Sequence, residues 1–231
     1  FADLDCELGY HPADMSVPGQ IADMVAYAER TLGRVDILVN AAGVTGPVET
    51  PVWEIPAEEW DHVLTANVRG TFLPTKHVLP VMIAQRYGKI VNISGTSGLR
   101  GYKLRAAYSA SKWAMEGMSE ALAFELAEFN VKVAIIQPGV VVTPIWGKGG
   151  EPPAGDYPYA KSLQRLMKFF EFGFTRPAMP ADVAIAIADA IESDKPHFRY
   201  PVGFDAVETI AARNQVSDDE WIEINCLQGD A

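Results

Sequence analysis

Cysteine is almost absent: Cys6 and Cys226 are the only two in 231 residues. Two cysteines build no disulfide framework, so a reduced, cytoplasmic setting is the expectation. Basic residues are also in short supply, 19 Lys and Arg against 30 Asp and Glu, for a net charge of −11. That balance speaks against a nucleic-acid scaffold or a polybasic membrane binder. No apolar run reaches the roughly 18 residues that a membrane-spanning helix requires. The four histidines His11, His62, His77 and His197 are scattered without metal-ligand spacing, so no metal is expected. Internal repeats and low-complexity linkers are lacking too. With 48% hydrophobic and 21% charged residues, one domain spanning 1–231 with a sizeable core is expected.

The hydrophobic pattern alternates between strand-like and helical segments, which predicts a parallel α/β architecture. Leu8–His11 reads as a short strand. A helix follows from Pro18, with Ile21, Met24, Val25 and Ala28 at helical spacing and Gly33 as its stop. Val35–Val39 reads as a buried strand ended by Asn40-Ala41-Ala42-Gly43. A long helix from Pro56 to about Tyr87 contains Pro74 and Pro80, where kinks or a break are expected. Lys89–Ser94 and Val131–Gln137 are further strands, and Ala106–Phe129 is the cleanest helix, with Asn130 at its end. Segment 143–176, rich in Gly, Pro and aromatics with one helix near Tyr159–Phe170, is too long for an ordinary connection and reads as a substrate lid. A helix over Pro180–Ile191, a last strand over Arg199–Gly203 and short helices complete the chain.

Tyr108 and Lys112 stand four apart at the start of the Ala106–Phe129 helix, on one face and one turn apart. A phenol is a poor base at neutral pH, and a neighbouring ammonium favours its phenolate, so the pair suits proton exchange with an alcohol oxygen. Tyr157 and Lys161 share the spacing but lie at the edge of the proline-rich stretch, where an exposed helix-face pair is the simpler account. Asn40-Ala41-Ala42-Gly43 leaves the C-terminal end of a parallel strand, the edge at which open α/β sheets bind ligands. Asn67 lies within a helix that suits Asn only moderately, where a bond back to the helix carbonyls is the plain alternative. Pro138-Gly139 ends a strand and can turn backbone groups toward a bound ring.

In this order, Asp14, Asn40-Ala41-Ala42-Gly43, Asn67, Ile93-Ser94, Tyr108-Ser109-Ala110-Ser111-Lys112 and Pro138-Gly139 with Thr143 resemble the classical short-chain dehydrogenase/reductase family over nearly the whole chain. The resemblance implies a Rossmann-like doubly wound parallel sheet and an NAD(P)-dependent oxidoreductase that interconverts a secondary alcohol and a ketone. Tyr108 would be the catalytic acid/base. Lys112 would bind the nicotinamide ribose and depress the Tyr108 pKa, and Asn67 would hold a helix distortion and a proton relay. Asp14 with Met15 would meet the adenine. Asn40, Ala41, Gly43 and Ile93 would line the cofactor site, and Pro138, Gly139, Val141 and Thr143 would receive the nicotinamide. NAD or NADP is the implied cofactor, and a homotetramer or homodimer through the two long helices is the implied assembly, with Phe124 and Phe129 as candidate contacts.

The chain departs from the family in two places. The catalytic serine is replaced by Gly95 within Ile93-Ser94-Gly95-Thr96-Ser97-Gly98; Ser97 is the favoured stand-in, with Ser94 and Thr96 as alternatives. The N-terminal strand and Gly-rich pyrophosphate turn are not found, so residues 1–8 read as the end of a helix before a third strand. The sheet is therefore expected to lack its first two strands, and the chain to be part of a longer protein. The opposing arrangement moves Leu8–His11 beside Val35–Val39. The N-terminal part is similar to 3-hydroxybutyrate dehydrogenases and the C-terminal part to 17β-hydroxysteroid and retinol dehydrogenases. An apolar alcohol or ketone is the favoured substrate, met by Gly95, Arg105 and Trp146. A short hydroxy acid bound through Arg105, and a non-catalytic scaffold, are the alternatives.

Overall fold

The computed structural model describes residue 6, residues 8–148 and residues 157–227. Most of segment 1–8 and the stretch 149–156 of the lid lie outside the described residues. Among the described residues, strands β1 (Ile37–Asn40), β2 (Gly88–Ile93), β3 (Val131–Pro138) and β4 (Arg199–Val202) form one four-stranded sheet in the order β1-β2-β3-β4. All three pairings are parallel, so every connection must cross over, and helices cover both faces as in a Rossmann-like doubly wound fold.

The period of two along the strands divides the core. Ile90, Val131 and Val133 join Val78 and Met82 of helix α3 (Gly70–Gln85), Leu126 of α4 (Ala106–Leu126) and Val25 of α1 (Pro18–Leu32) on one face. Val91, Ala134 and Ile136 turn to the other face and pack on Ala186, Ile187 and Ala190 of α6 (Pro180–Glu192). The register pairs Val39 with Val91, so Ile37 and Val39 lie on the α6 face. Among the described residues nothing covers that face at this edge, and Ile37 is 43% and Val39 38% exposed.

Three expectations change. Leu8–His11 is not a strand, and neither proposed arrangement of it in the sheet occurs. It lies beside α1, where His11 packs against Tyr27 with ring centroids 5.2 Å apart. A strand requires a partner for its backbone groups, and this segment meets a helix instead. The long helix is not broken at its prolines. It changes pitch earlier, at a π-helical turn over Thr65–Arg69 that joins α2 (Ala57–Leu64) to α3. α3 runs through both Pro74 and Pro80. Around Pro74, the hydroxyls of Thr71 and Thr75 donate to the carbonyls of Asn67 and Thr71, and near Pro80 the helix is exposed to water. Finally, the lid helix α5 spans Ala160–Phe174, four residues past the expected end.

The other boundaries fall close to expectation. Gly33 ends α1 in a left-handed conformation, its N–H donating to the Glu29 carbonyl. Asn130 plays the same part after α4 at φ 56°. Helices α7 (Phe204–Asn214) and α8 (Asp218–Leu227) close the described chain.

Candidate active site

α4 begins after a loop that follows β2, and its first four turns carry several buried polar side chains. Ser109, Ser111, Lys112, Glu116 and Ser119 are all buried. Lys112 Nζ donates to the Ile93 carbonyl at 2.8 Å, at the end of β2, and lies 5.7 Å from the Tyr108 ring centroid. Burial pulls its pKa down to about 8, with Glu116 acting in the opposite direction.

The Tyr108 phenol is pushed up by burial, and the cation that opposes the rise is Arg105. The resemblance gives that task to Lys112, which stands beside the same ring and donates to the Ile93 carbonyl. Arg105 stacks over Phe170 at 4.8 Å, and its Nε is buried without a partner among the described residues.

Asn67 is fully buried inside the π-helical turn. Its side chain does not bond back to its own helix. Nδ2 donates to the Val44 carbonyl and to Ser111 Oγ, each at 2.9 Å, and Oδ1 accepts the Val44 N–H at 2.8 Å. Ser111 Oγ in turn donates to the Tyr108 carbonyl at 2.7 Å. One side chain thus ties the loop after β1 to the first turn of α4. A Cβ on Gly43 would stand 3.1 Å from Asn67 Oδ1, which explains the glycine there. Asn40 Nδ2 donates to Asn92 Oδ1 and to Thr75 Oγ1, and Asn92 Nδ2 donates to Ser119 Oγ. The sequence reading missed Asn92, Ser111, Ser119 and Glu116. A polar residue inside an apolar run, as in Val91-Asn92-Ile93, was the available signal, since a buried polar group needs a partner.

Ala41 lies exposed beside Gly43. Asp14 is at the surface, its carboxylate accepting from the Ser16 N–H and hydroxyl, which holds it below the usual carboxylate range. Met15 packs at the start of α3, where a Cβ on Gly70 would come within 3.2 Å of its own Cβ. Gly95 has φ 148° and ψ 174°. Of the three nearby hydroxyls, Ser94 Oγ is buried on the Gly98 side without a partner among the described residues, Thr96 Oγ1 pairs with the Tyr102 hydroxyl at 2.8 Å, and Ser97 is buried in the short 3₁₀ turn Thr96–Gly98. Burial pushes the Tyr102 phenol up to about 12, so it stays neutral.

After β3, Gly139 makes room for Asp205, whose Oδ2 accepts the Val140 N–H at 2.7 Å. Val141 bridges to Ala178, returning the lid to the sheet edge beyond Pro138. Thr143 precedes a 3₁₀ turn over Pro144–Lys148. Trp146 Nε1 donates to the Val141 carbonyl at 2.7 Å, and its indole meets Phe170 and Phe174 edge-on. Leu163 and Leu166 pack inward, while Met167, Phe172 and Phe174 stay partly exposed. Tyr157 donates to the Glu49 carbonyl at 2.9 Å, a tie between lid and β1 loop.

The residues fit the nicotinamide end of an NAD(P) molecule. Lys112 uses one of three N–H donors on Ile93, leaving two for ribose hydroxyls. No glycine-rich pyrophosphate turn occurs among the described residues.

The model of the family described as short chain dehydrogenase matches residues 4–153, and the chain belongs to that family. It is 38% identical over 136 residues to a D-beta-hydroxybutyrate dehydrogenase of Rhizobium meliloti, covering 59% of this chain and 52% of the relative. A 3-ketodihydrosphingosine reductase of Bacteroides thetaiotaomicron is 34% identical over 200 residues, 85% of this chain and 71% of the relative. The crystal structure of an NAD+-bound xylitol dehydrogenase superposes with a TM-score of 0.69 at 28% identity, covering 83% of this chain and 76% of that one. The chain spans about half the length of the hydroxybutyrate dehydrogenases it matches.

Proposed function

We propose that the protein is an NAD(P)-dependent oxidoreductase that interconverts a secondary alcohol and a ketone, with Tyr108 as the acid/base. The observation that carries this reading is the cluster on the first turns of α4. Tyr108 and Lys112 stand beside the Asn67–Ser111 tie at the C-terminal edge of a parallel sheet. A bound nicotinamide would supply or accept the hydride. Lys112 would hold its ribose, and Ile93, Val141 and Thr143 would border the ring; Asp14 and Met15 would lie toward the adenine. In reduction Tyr108 donates its phenolic proton to the carbonyl oxygen, and in oxidation it removes the hydroxyl proton. Arg105 favours the phenolate by its charge.

Gly95 supplies no hydroxyl, so Ser97 is the proposed donor to the carbonyl oxygen. The edge-on aromatics of the lid, Trp146 with Phe170 and Phe174, favour an apolar substrate body, as does the likeness to a 3-ketodihydrosphingosine reductase. A second reading has its own support: the Arg105 Nε is buried without a partner among the described residues, which suits a substrate carboxylate as in a short hydroxy acid. Self-association through α3 and α4 fits the 73% exposure of Phe124; Phe129, the other candidate contact, packs into the core instead.

Fluorescence titration with NADH and NADPH, followed by turnover on a long-chain ketone and on short hydroxy acids, tests the reading. The expected result is binding of one nucleotide, turnover of the apolar ketone, and loss of turnover with retained binding in Tyr108→Phe. Binding of neither nucleotide would favour a non-catalytic scaffold, and turnover of short hydroxy acids alone would transfer the assignment to the second reading.

A further inference from the structure

Glu116 is a buried carboxylate that the proposed reaction does not use. It stands one turn beyond Lys112 on the same face of α4, the spacing at which side chains meet. Gln137 Nε2 from β3 donates to its Oε1 at 2.9 Å, and Arg199 Nε from β4 donates to its Oε2 at 2.9 Å. Arg199 also reaches Glu120 at 3.2 Å. Gly98 is what lets the carboxylate in: a Cβ there would come within 2.7 Å of Glu116 Cγ. Burying a carboxylate is costly unless it is paired and hydrogen-bonded, and three elements converge to satisfy this one.

We propose that Glu116 is a positioning residue that keeps the buried Lys112 ammonium charged, while Arg199 and Gln137 hold its carboxylate in place. The inference rests on the reading of Lys112 as part of the active site. Lys112 has no carboxylate within ion-pair distance among the described residues; its one hydrogen bond is to the Ile93 carbonyl. Burial pulls its pKa down to about 8, and Glu116 is the group that opposes the fall. The other ionisable groups facing the pair are Tyr108 beside Lys112, and Arg199 from β4 with Glu120 one turn on, beside Glu116. β3 contributes neutral Gln137, and the turn Thr96–Gly98 contributes only hydroxyls and a glycine. The π-helical turn brings neutral Asn67, while the acids Glu58, Glu59 and Asp61 of α2 are exposed.

The Glu116→Gln variant keeps the shape and the bond to Arg199 but removes the charge. Side chains one helical turn apart have Cβ atoms about 5–6 Å apart, and two charges at about that separation in an effective dielectric near 20 shift a titration by about two pH units. The Lys112 midpoint should therefore fall from about 8 by about that amount. The readout is NMR titration of the full chain labelled at lysine Cε, with the Lys112 signal identified by its loss in Lys112→Arg. Should Glu116→Gln fail to fold, Arg199→Gln carries the test: removing a positive charge should raise the Lys112 midpoint, by less than the first variant lowers it. A merely structural network would not move one residue's midpoint in opposite directions. An unchanged midpoint in Glu116→Gln, or an unchanged or lowered one in Arg199→Gln, overturns the proposal. If both midpoints move as expected while the pH dependence of turnover does not, the reading of Lys112 as a participant in the reaction fails and the role of Glu116 stands.

Discussion

Replacing Gly95 separates backbone strain from lost chemistry. Its φ of 148° with ψ 174° lies in a region that L residues rarely adopt. Space is not the obstacle, since an added Cβ would find the Pro138 carbonyl at 3.5 Å, an ordinary contact. Gly95→Ala and Gly95→Ser should therefore share one penalty, about 1–3 kcal/mol of backbone strain. The reduced freedom of the unfolded chain offsets about 0.4–1 kcal/mol of it. The net loss of about 1–2 kcal/mol corresponds to a Tm lower by about 2–8 °C in a chain of this size. Urea unfolding followed by tryptophan fluorescence measures it. The serine hydroxyl would lie beside the Pro138 carbonyl and donate to it. Turnover of Gly95→Ser should then match that of Gly95→Ala, rather than exceed it by the roughly 10²–10³ that an oxyanion donor contributes. An alanine variant as stable as the parent would refute the strain argument. A serine variant about a hundredfold faster than the alanine one would refute the assignment of the donor role elsewhere.

Asn67→Ala leaves the Val44 N–H and carbonyl and Ser111 Oγ without their partner, and should cost about 2–4 kcal/mol in urea unfolding; a loss under half a kcal/mol would mean that water replaces the side chain. Ser97→Ala should slow turnover by about 10²–10³ if Ser97 is the oxyanion donor, and unchanged turnover removes it from that role. Arg105→Met should push the Tyr108 phenol further up, since Arg105 opposes the effect of burial; the limb of the oxidation pH profile that needs phenolate should move to higher pH. Asp205 is raised above the ordinary carboxylate range by burial, so the folded state binds its proton more tightly than the unfolded one. Its contribution is fully present below the unfolded value and is lost as pH rises through the raised folded value. Chemical denaturation across that window should show stability falling with pH, and Asp205→Asn should flatten the slope.

The α/β class, all four observed strands to within about two residues and the helix bearing Tyr108 and Lys112 were legible in the sequence, because each rests on local periodicity and on glycine or asparagine at helix ends. The cluster on α4 was legible in part: Tyr108, Lys112 and Asn67 stand at readable positions, but the partners of Asn67 lie 23 and 44 residues away. Leu8–His11 was misread because a short apolar segment carries no sign of whether a strand or a helix will lie beside it. Pro74 and Pro80 suggested a break, but α3 runs through both, and the real irregularity fell at Asn67, whose side chain bonds to Val44 and Ser111 rather than to its own helix.

By itself, then, the sequence determined which segments become helix and strand, and which residues could exchange a proton, since both depend on neighbours within a few positions. Only the tertiary structure decided which charge faces which group. Glu116 of α4 is held between Gln137 of β3 and Arg199 of β4, and Lys112 donates to the Ile93 carbonyl at the end of β2. Burial and electrostatic interaction depend on distance in space, and the crossovers of a parallel sheet bring together residues that are far apart along the chain.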